Sequence, residues 1–426
     1  VVTIAHRLST VAEADVIIVG NNDAEVDAEV QLYHTPDNVR LEVPLGDPII
    51  LAPGETHAFP MENTFIGETS AFRTGGSYRV ESDSPIVAYQ HSPRVNVSSN
   101  DASMLLPEHT LGQNYVVYSY PAFAADLGQP SYVAVIALEH DTIVNWTAKT
   151  DTAGDFFPVP FVFEGDVGEM KLNERDMMQI AASSNEEDVR KRDLSGMVIN
   201  ATKPVWVVGA TSCAYVPFGG QGFCDHLQEQ LIPIEQWGKE YVAAHSPVRG
   251  TEKHVWRIYG GADNVGVATE PPLDGTPFVL EKTGDYREFE VDNGVSFVVT
   301  SNGPIMPVQY LYGSQDGAGT GDPSMYQMVP VEQFLRRYAF ATGLNYDDDY
   351  VQVTRKKGAA AVLVDGVAVT GYYEIGDYEV ADWKIEEGAH FAESSQAFGI
   401  AGVGYTQQNA SYAYPGGMAL EVISPL

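Results

Sequence analysis

Residues 225–241 read DHLQEQLIPIEQWGKEY, and two sister stretches read DASMLLPEHTLGQNY (101–115) and DPSMYQMVPVEQFLRRY (322–338). Aligned on Pro107, Pro233 and Pro330, each carries a large apolar residue four positions on: Leu111, Trp237, Phe334. Each carries a tyrosine eight positions on: Tyr115, Tyr241, Tyr338. Each also has an aspartate upstream, at Asp101, Asp225 and Asp322. Matches at fixed offsets in three places mark an internal repeat. A second element precedes each copy: SDSPIVAYQ (82–90), ATKPVWVVGA (201–210) and SNGPIMPVQY (301–310), each a turn, a proline and then a strand. A looser fourth copy runs from YVQVTRKKGAAAVLVDG (350–366) to AFGIAGVGY (397–405).

Between these marks the chain is strand after strand. Runs such as YVAVIAL (132–138), TIVNW (142–146) and VSFVVTS (295–301) are β-branched and aromatic, and 40 glycines and 25 prolines supply the turns. Helical periodicity is confined to residues near 10–14. The pattern predicts an all-β chain of four tandem β-sandwich-like units packed into one block, each of a size that suits a small sandwich. The units are expected at 1–106, 107–230, 231–328 and 329–426. A propeller-like closed array is the alternative architecture.

The repeated linker has a physical job in this scheme. Proline ends a ladder and fixes the exit angle of the chain. Residues at +4 and +8 share one face of a short helical turn, with the upstream aspartate as its cap. Leu111, Trp237 and Phe334 then pin each linker to a neighbouring unit, each burial contributing about 2–3 kcal/mol. Together with Pro107, Pro233, Pro330, Tyr115, Tyr241 and Tyr338 they form an expected interdomain clasp.

Composition removes several classes of function. The 426 residues carry 58 acids against 24 bases, a net charge of −34. Such a surface repels nucleic acid and anionic lipid. No run of 18 apolar residues is present, so no helical membrane insertion is expected. The first residue is Val, and a fragment or processed product is expected. The acids at 345–350 (NYDDDY) lack the ligand spacing and central glycine of an EF-hand loop. No cofactor and no metal site are expected, calcium being the one ion the acidity leaves room for. No G-x-S-x-G elbow occurs, and no catalytic residue is assigned. Cys213 and Cys224, with His226 and His245 nearby, invite a metal or nucleophile reading, but C-x10-C fits no common zinc spacing. His226 is expected to pack or to face solvent.

Taken together, YRVESDSPIVAYQ (78–90), SNDASMLLPEHTLGQNYV (99–116), CDHLQEQLIPIEQWGKEYV (224–242) and GDPSMYQMVPVEQF (321–334) resemble the N-terminal domain family of IgGFc-binding proteins. The resemblance covers about Tyr78 to Tyr350, and more weakly ASYAYPGG (410–417). It implies an extracellular, noncatalytic interaction module and a Cys213–Cys224 disulfide. It does not imply immunoglobulin as the ligand. The acidity is similar to that of the bacterial secreted branch. The first twenty residues resemble the histidine-loop segment of an ABC-transporter ATPase, with His6 as the switch histidine. No G-x4-G-K-S/T loop exists to cradle phosphates, and DLSGM (193–197) is no signature loop, so that function is excluded.

In an oxidising compartment the bridge contributes about 3 kcal/mol by loop entropy. It ties the glycine-rich insert VPFGGQGF (216–223), which only the second unit carries. Specialised loops are where binding concentrates, so Tyr215, Phe218 and Phe223 form the candidate contact loop. Sequons stand at Asn96, Asn145, Asn200 and Asn409, with Asn145 in an expected strand. The functional expectation is a secreted or cell-surface adhesion protein that binds an extracellular protein or glycan. The alternative is a structural subunit of a surface filament or sheath formed by self-association, and the remote one a glycan-active enzyme.

Overall fold

The computed structural model describes residues 2–5, 16–21, 25–61, 69–92, 100–123, 129–154, 158–222, 224–407 and 410–425. Among them there is no α-helix, only short 3₁₀ turns between antiparallel strands. The chain is all-β, built of sandwich-like units in tandem.

The repeat seen in the sequence is a repeat of topology. In the second unit one sheet runs in the order Asp225–Gln230, Val205–Ala214, Ser131–Ala137, Asp176–Ala181. In the third the matching order is Ser324–Gln327, Ile305–Leu311, His254–Gly260, Tyr286–Val291. The first unit matches with Asp101–Met104, Ile86–Ser92, Val16–Asn21 and Thr56–Pro60. The fourth matches with Ser411–Pro415, Ala389–Tyr405, Asp348–Lys356 and Tyr378–Ile385. Pro85, Pro204 and Pro304 each stand immediately before the second strand in this order, where a missing N–H costs the ladder nothing. Each unit closes its sandwich with an opposing sheet. In the fourth unit the 17-residue strand Ala389–Tyr405 belongs to both layers. The strand Ala71–Thr74 crosses over to pair with Asp176–Ala181, extending the second unit's sheet.

The first strand in each order is the last of its unit, and these four meet. Asp101–Met104 lies against Asp225–Gln230, which lies against Ser324–Gln327, then Ser411–Pro415, which returns to Asp101–Met104. The tandem units therefore close on themselves, which joins the sandwich expectation to the closed array held as its alternative. Tyr89 stacks on Tyr414 at 4.3 Å where the first and fourth units touch. Buried apolar residues of the second, third and fourth units form one connected cluster that Tyr89, Met104 and Leu106 enter from the first. A smaller cluster fills the space between the first unit's own sheets.

Candidate functional site

Each clasp is a single 3₁₀ turn that starts after its proline: Glu108–Thr110, Ile234–Gln236, Val331–Gln333. Leu111, Trp237 and Phe334 are the residues that end the turn. The tyrosines lie beyond it, on the next strand, rather than on one helical face. Tyr115 OH accepts the Gly112 N–H at 2.9 Å and donates to Val205 O at 2.8 Å. Tyr241 OH repeats this with Gly238 N–H and Ile305 O, and Tyr338 OH with Leu335 N–H and Phe398 O. Tyr115 and Tyr241 thus tie the turn to the Pro-led strand of their own unit, and Tyr338 ties it to the matching strand Ala389–Tyr405. Trp237 is fully buried, donates from Nε1 to Ile232 O at 2.9 Å, and packs on Gly261. Leu111 is buried, while Phe334 is half-buried over Gly399. Successive clasps also stack: Pro233 sits on Gly112 and Pro330 on Gly238, where any Cβ would clash. Gln236 Nε2 donates to Thr110 O at 2.6 Å, and Gln333 Nε2 to Gln236 O at 3.3 Å.

The upstream aspartates do not cap these turns; each turn begins at proline with no side-chain cap. They belong to the central seam instead. Asp101 is 1% exposed and accepts four hydrogen bonds. The donors are its neighbour Ala102 N–H, Gln228 N–H of the second unit, and Ser324 Oγ–H and Met325 N–H of the third. Glu229, equally buried, accepts from Ser103 Oγ–H at 2.8 Å and from Gln327 Nε2–H at 3.1 Å. Asp225 Oδ1 accepts the Asn100 and His226 N–H groups. Gln230 Oε1 accepts the Leu106 N–H at 2.8 Å, and Gln327 Oε1 the Ile232 N–H at 3.3 Å. Both glutamines stand three residues before a clasp proline and accept from the residue just before the preceding clasp proline, so this bond is itself a repeat. Burial pushes the Asp101 and Glu229 carboxyls well above the usual range, and the hydroxyl and N–H donors pull them back.

Two further acids near the seam give a pH dependence. Burial pushes Asp322 and Asp349 up to about 7 from an ordinary 3.8. In the folded state both hold a proton that the unfolded chain releases near its ordinary value. Their contribution to stability is whole below that value and is lost as the pH rises through 7. The melting temperature is expected to be about 3–6 °C higher at about pH 5.5 than at about pH 8. Asp322→Asn with Asp349→Asn should reduce that slope, the remainder coming from the other buried acids such as Asp101 and Glu229. An unchanged slope would place its source elsewhere among the acids.

At the junction of the second and third units the polar chemistry changes sign. Arg257 is 3% exposed, and its Nη1 donates to Asp193 Oδ2 at 2.8 Å, Ser195 Oγ at 2.8 Å and Ser119 O at 3.1 Å. Its guanidinium lies over Tyr120 at 4.6 Å and Tyr286 at 4.8 Å. Arg257 belongs to the third unit and Asp193 to the second, so this buried ion pair crosses the joint. Beside it Gly196 and Gly284, both at φ +85°, bring the two backbones into contact.

The disulfide loop lies at the same junction. Cys213 and Cys224 are bonded across the hairpin between Val205–Ala214 and Asp225–Gln230. Thiol titration should find no free thiol in native protein and two after reduction. Reduction should cost about 3 kcal/mol if loop entropy dominates. The tip rests on the third unit: Gln221 N–H donates to Asp316 at 3.0 Å, and Val216 O accepts the Gly313 N–H at 3.0 Å. Tyr215 and Phe218 are half-buried. Tyr215 meets Phe123 edge-on at 4.6 Å, and Phe218 lies under the Arg190 guanidinium at 4.7 Å. Phe123, 51% exposed, extends the aromatic surface.

His226 is buried in its strand, its Nε2 within 3.2 Å of Gln228 Oε1. His245 stacks on His254 at 3.6 Å, both buried, and burial pushes both below the usual imidazole range. Each acid of 347–349 has its own partner: Asp347 accepts from Gln407 N–H, Asp348 pairs with Lys384, and Asp349 accepts from Tyr412 OH. Among the described residues no three His, Cys, Asp or Glu side chains converge to hold a metal ion, and no helix is long and apolar enough to cross a membrane. Asn145 and Asn200 face each other across paired strands. His6, Asn96, Phe223, Asn409 and residues 10–14 lie outside the described residues.

A family model described as "IgGFc binding protein" matches residues 101–404, from Asp101 at the start of the first unit's last strand into the strand Ala389–Tyr405. The chain belongs to the IgGFc binding protein family. The human IgGFc-binding protein is 24% identical over 335 residues, covering 76% of this chain and 6% of that protein. This chain therefore spans a small fraction of the length of the relative it matches. No solved structure matches it. The family match covers all three clasps, the cysteine pair and the Arg257 joint. Sequence reasoning missed Arg257, Glu229, Gln230, Gln327 and Phe123. Only the glutamines left a signal, their shared offset from the clasp proline.

Proposed function

We propose that this chain is a secreted or surface-displayed, noncatalytic module that binds a protein partner through the aromatic surface around the disulfide hairpin. The clasps act as interdomain joints that hold this surface still. One observation carries the reading. Phe123, Tyr215 and Phe218, with Arg190, are gathered at the outer edge of the joint between the second and third units. Aromatic rings with arginine are the composition of binding hot spots, and a disulfide-tied tip loses little entropy on docking. The disulfide suits an oxidising compartment. The human relative's name gives the Fc region of IgG as its ligand. For this chain the proposal is the coarser class, a protein.

The test uses immobilised full chain, presented with IgG Fc and with proteins of the native extracellular matrix. Any partner retained should be lost by about tenfold or more in affinity on Phe123→Ala with Phe218→Ala. Equal retention by the parent, that variant and the reduced protein would overturn the assignment of the hairpin.

A further inference from the structure

We propose that the cleft beside the Arg257 joint is a binding site for an acidic oligosaccharide. The cleft has a volume of about 640 Å³ between the second and third units. That is the size of a ligand pocket, at a boundary where such sites concentrate. It lies at the same junction as the hairpin, Lys191 of its lining being next to the Arg190 that stands over Phe218, but the proposal does not rest on the hairpin's role.

The floor is preformed. The Arg257–Asp193 pair and the Gly196–Gly284 contact fix the two walls to each other. Lys149 and Asp285 bridge the walls a second time, at 2.9 Å. A ligand entering the cleft therefore orders little that is not already ordered.

The rim is less acidic than the chain as a whole. In a chain with 24 bases against 58 acids, the lining sets Lys149, Lys191 and Arg287 against Asp193, Glu281 and Asp285, with Asp193 held by Arg257 and Asp285 by Lys149. Lys191 pairs with Glu164 at 3.4 Å, near Glu186 and Asp188, with both members of the pair more than half exposed. Arg287 has no carboxylate partner among the described residues; its guanidinium lies 5.1 Å over the Phe278 ring. Beside it Val279 is 60% exposed. One guanidinium without a carboxylate partner and one exposed, weakly paired ammonium thus edge the cleft, with the exposed Val279 beside them.

That pattern matches a sugar acid. A carboxylate or sulfate group meets Arg287 and competes with Glu164 for Lys191, and the apolar C–H face of a pyranose ring covers the exposed Val279. Glu281 and Asp285 accept from ring hydroxyls. An inorganic anion would leave most of the volume and the exposed Val279 unused.

Calorimetric titration of the full chain tests this. The probes are 3′-sialyllactose, a hyaluronan tetrasaccharide and a heparin tetrasaccharide, with lactose as the neutral control. The expected result is saturable binding of at least one acidic saccharide at about 1 mM or below, with lactose about tenfold weaker or silent. Lys191→Glu with Arg287→Glu, both on the exposed rim, should abolish binding. Lys357→Glu, on a remote face, should not change it. Binding should also weaken as salt is raised. No binding by any of the three acids, binding indifferent to the double variant, or lactose binding equally well would overturn the proposal. Equal binding of a hexaglutamate peptide would also overturn it, because the cleft would then be an anion patch without a sugar site.

Discussion

Asp101→Ala is expected to destabilise the folded chain by at least about 4 kcal/mol, among the largest effects of any single substitution here. The side chain accepts from three backbone N–H groups and a hydroxyl, drawn from three different units. Removing it leaves those donors buried without partners, at about 1–3 kcal/mol each before relaxation. Asp101→Asn separates packing from hydrogen bonding. It keeps the shape, yet its NH₂ must point at two of the four donors, so it should recover less than half of the loss. Urea unfolding followed by tryptophan fluorescence reads both. If Asp101→Ala shifts the midpoint no more than an exposed-surface substitution does, the seam is not holding the units together.

Trp237→Ala comes next, at about 3–5 kcal/mol, the range for removing a large aromatic from a core. The indole is fully buried, and its N–H satisfies Ile232 O. The chain end is held at the same place, because Ser424 Oγ–H donates to Trp237 O at 2.8 Å and Ile423 N–H to Glu235 O at 2.9 Å. The variant should therefore open the joint between the second and third units and release residues 419–425 together. Limited proteolysis should cut first near 231–245 and near the C-terminal end. Trp237→Phe, which keeps most of the ring but not the N–H, should lose about 1–2 kcal/mol and keep the parent's cleavage pattern. Identical proteolysis of Trp237→Ala and the parent would remove the clasp from the account.

What was legible in the sequence was what is local. The Pro-led strands, the three clasp turns and the hairpin disulfide each lie within a few dozen residues, and turn chemistry and strand periodicity report on them directly. The tyrosines were found by offset. Their reason was not, because the acceptors Val205, Ile305 and Phe398 lie 60 to 90 residues away. Closure of the ring was visible only as an alternative, since no local pattern states that the fourth unit meets the first. The aspartates were misread as caps for a related reason. Asp101 stands six residues before its proline, Asp225 and Asp322 eight, so the three are not equivalent positions. Only coordinates show that Asp101 reaches two other units. Arg257 left no trace because its partners Asp193 and Ser195 belong to a different unit and no motif links them.

The central claim is that four sandwiches close into one block around a buried seam. Small-angle X-ray scattering of the full chain tests it most directly. A closed block of this length should have a radius of gyration of about 22 Å and a single-peaked distance distribution. A radius above about 30 Å with a long tail or several maxima would mean units strung in a line, and would contradict the account.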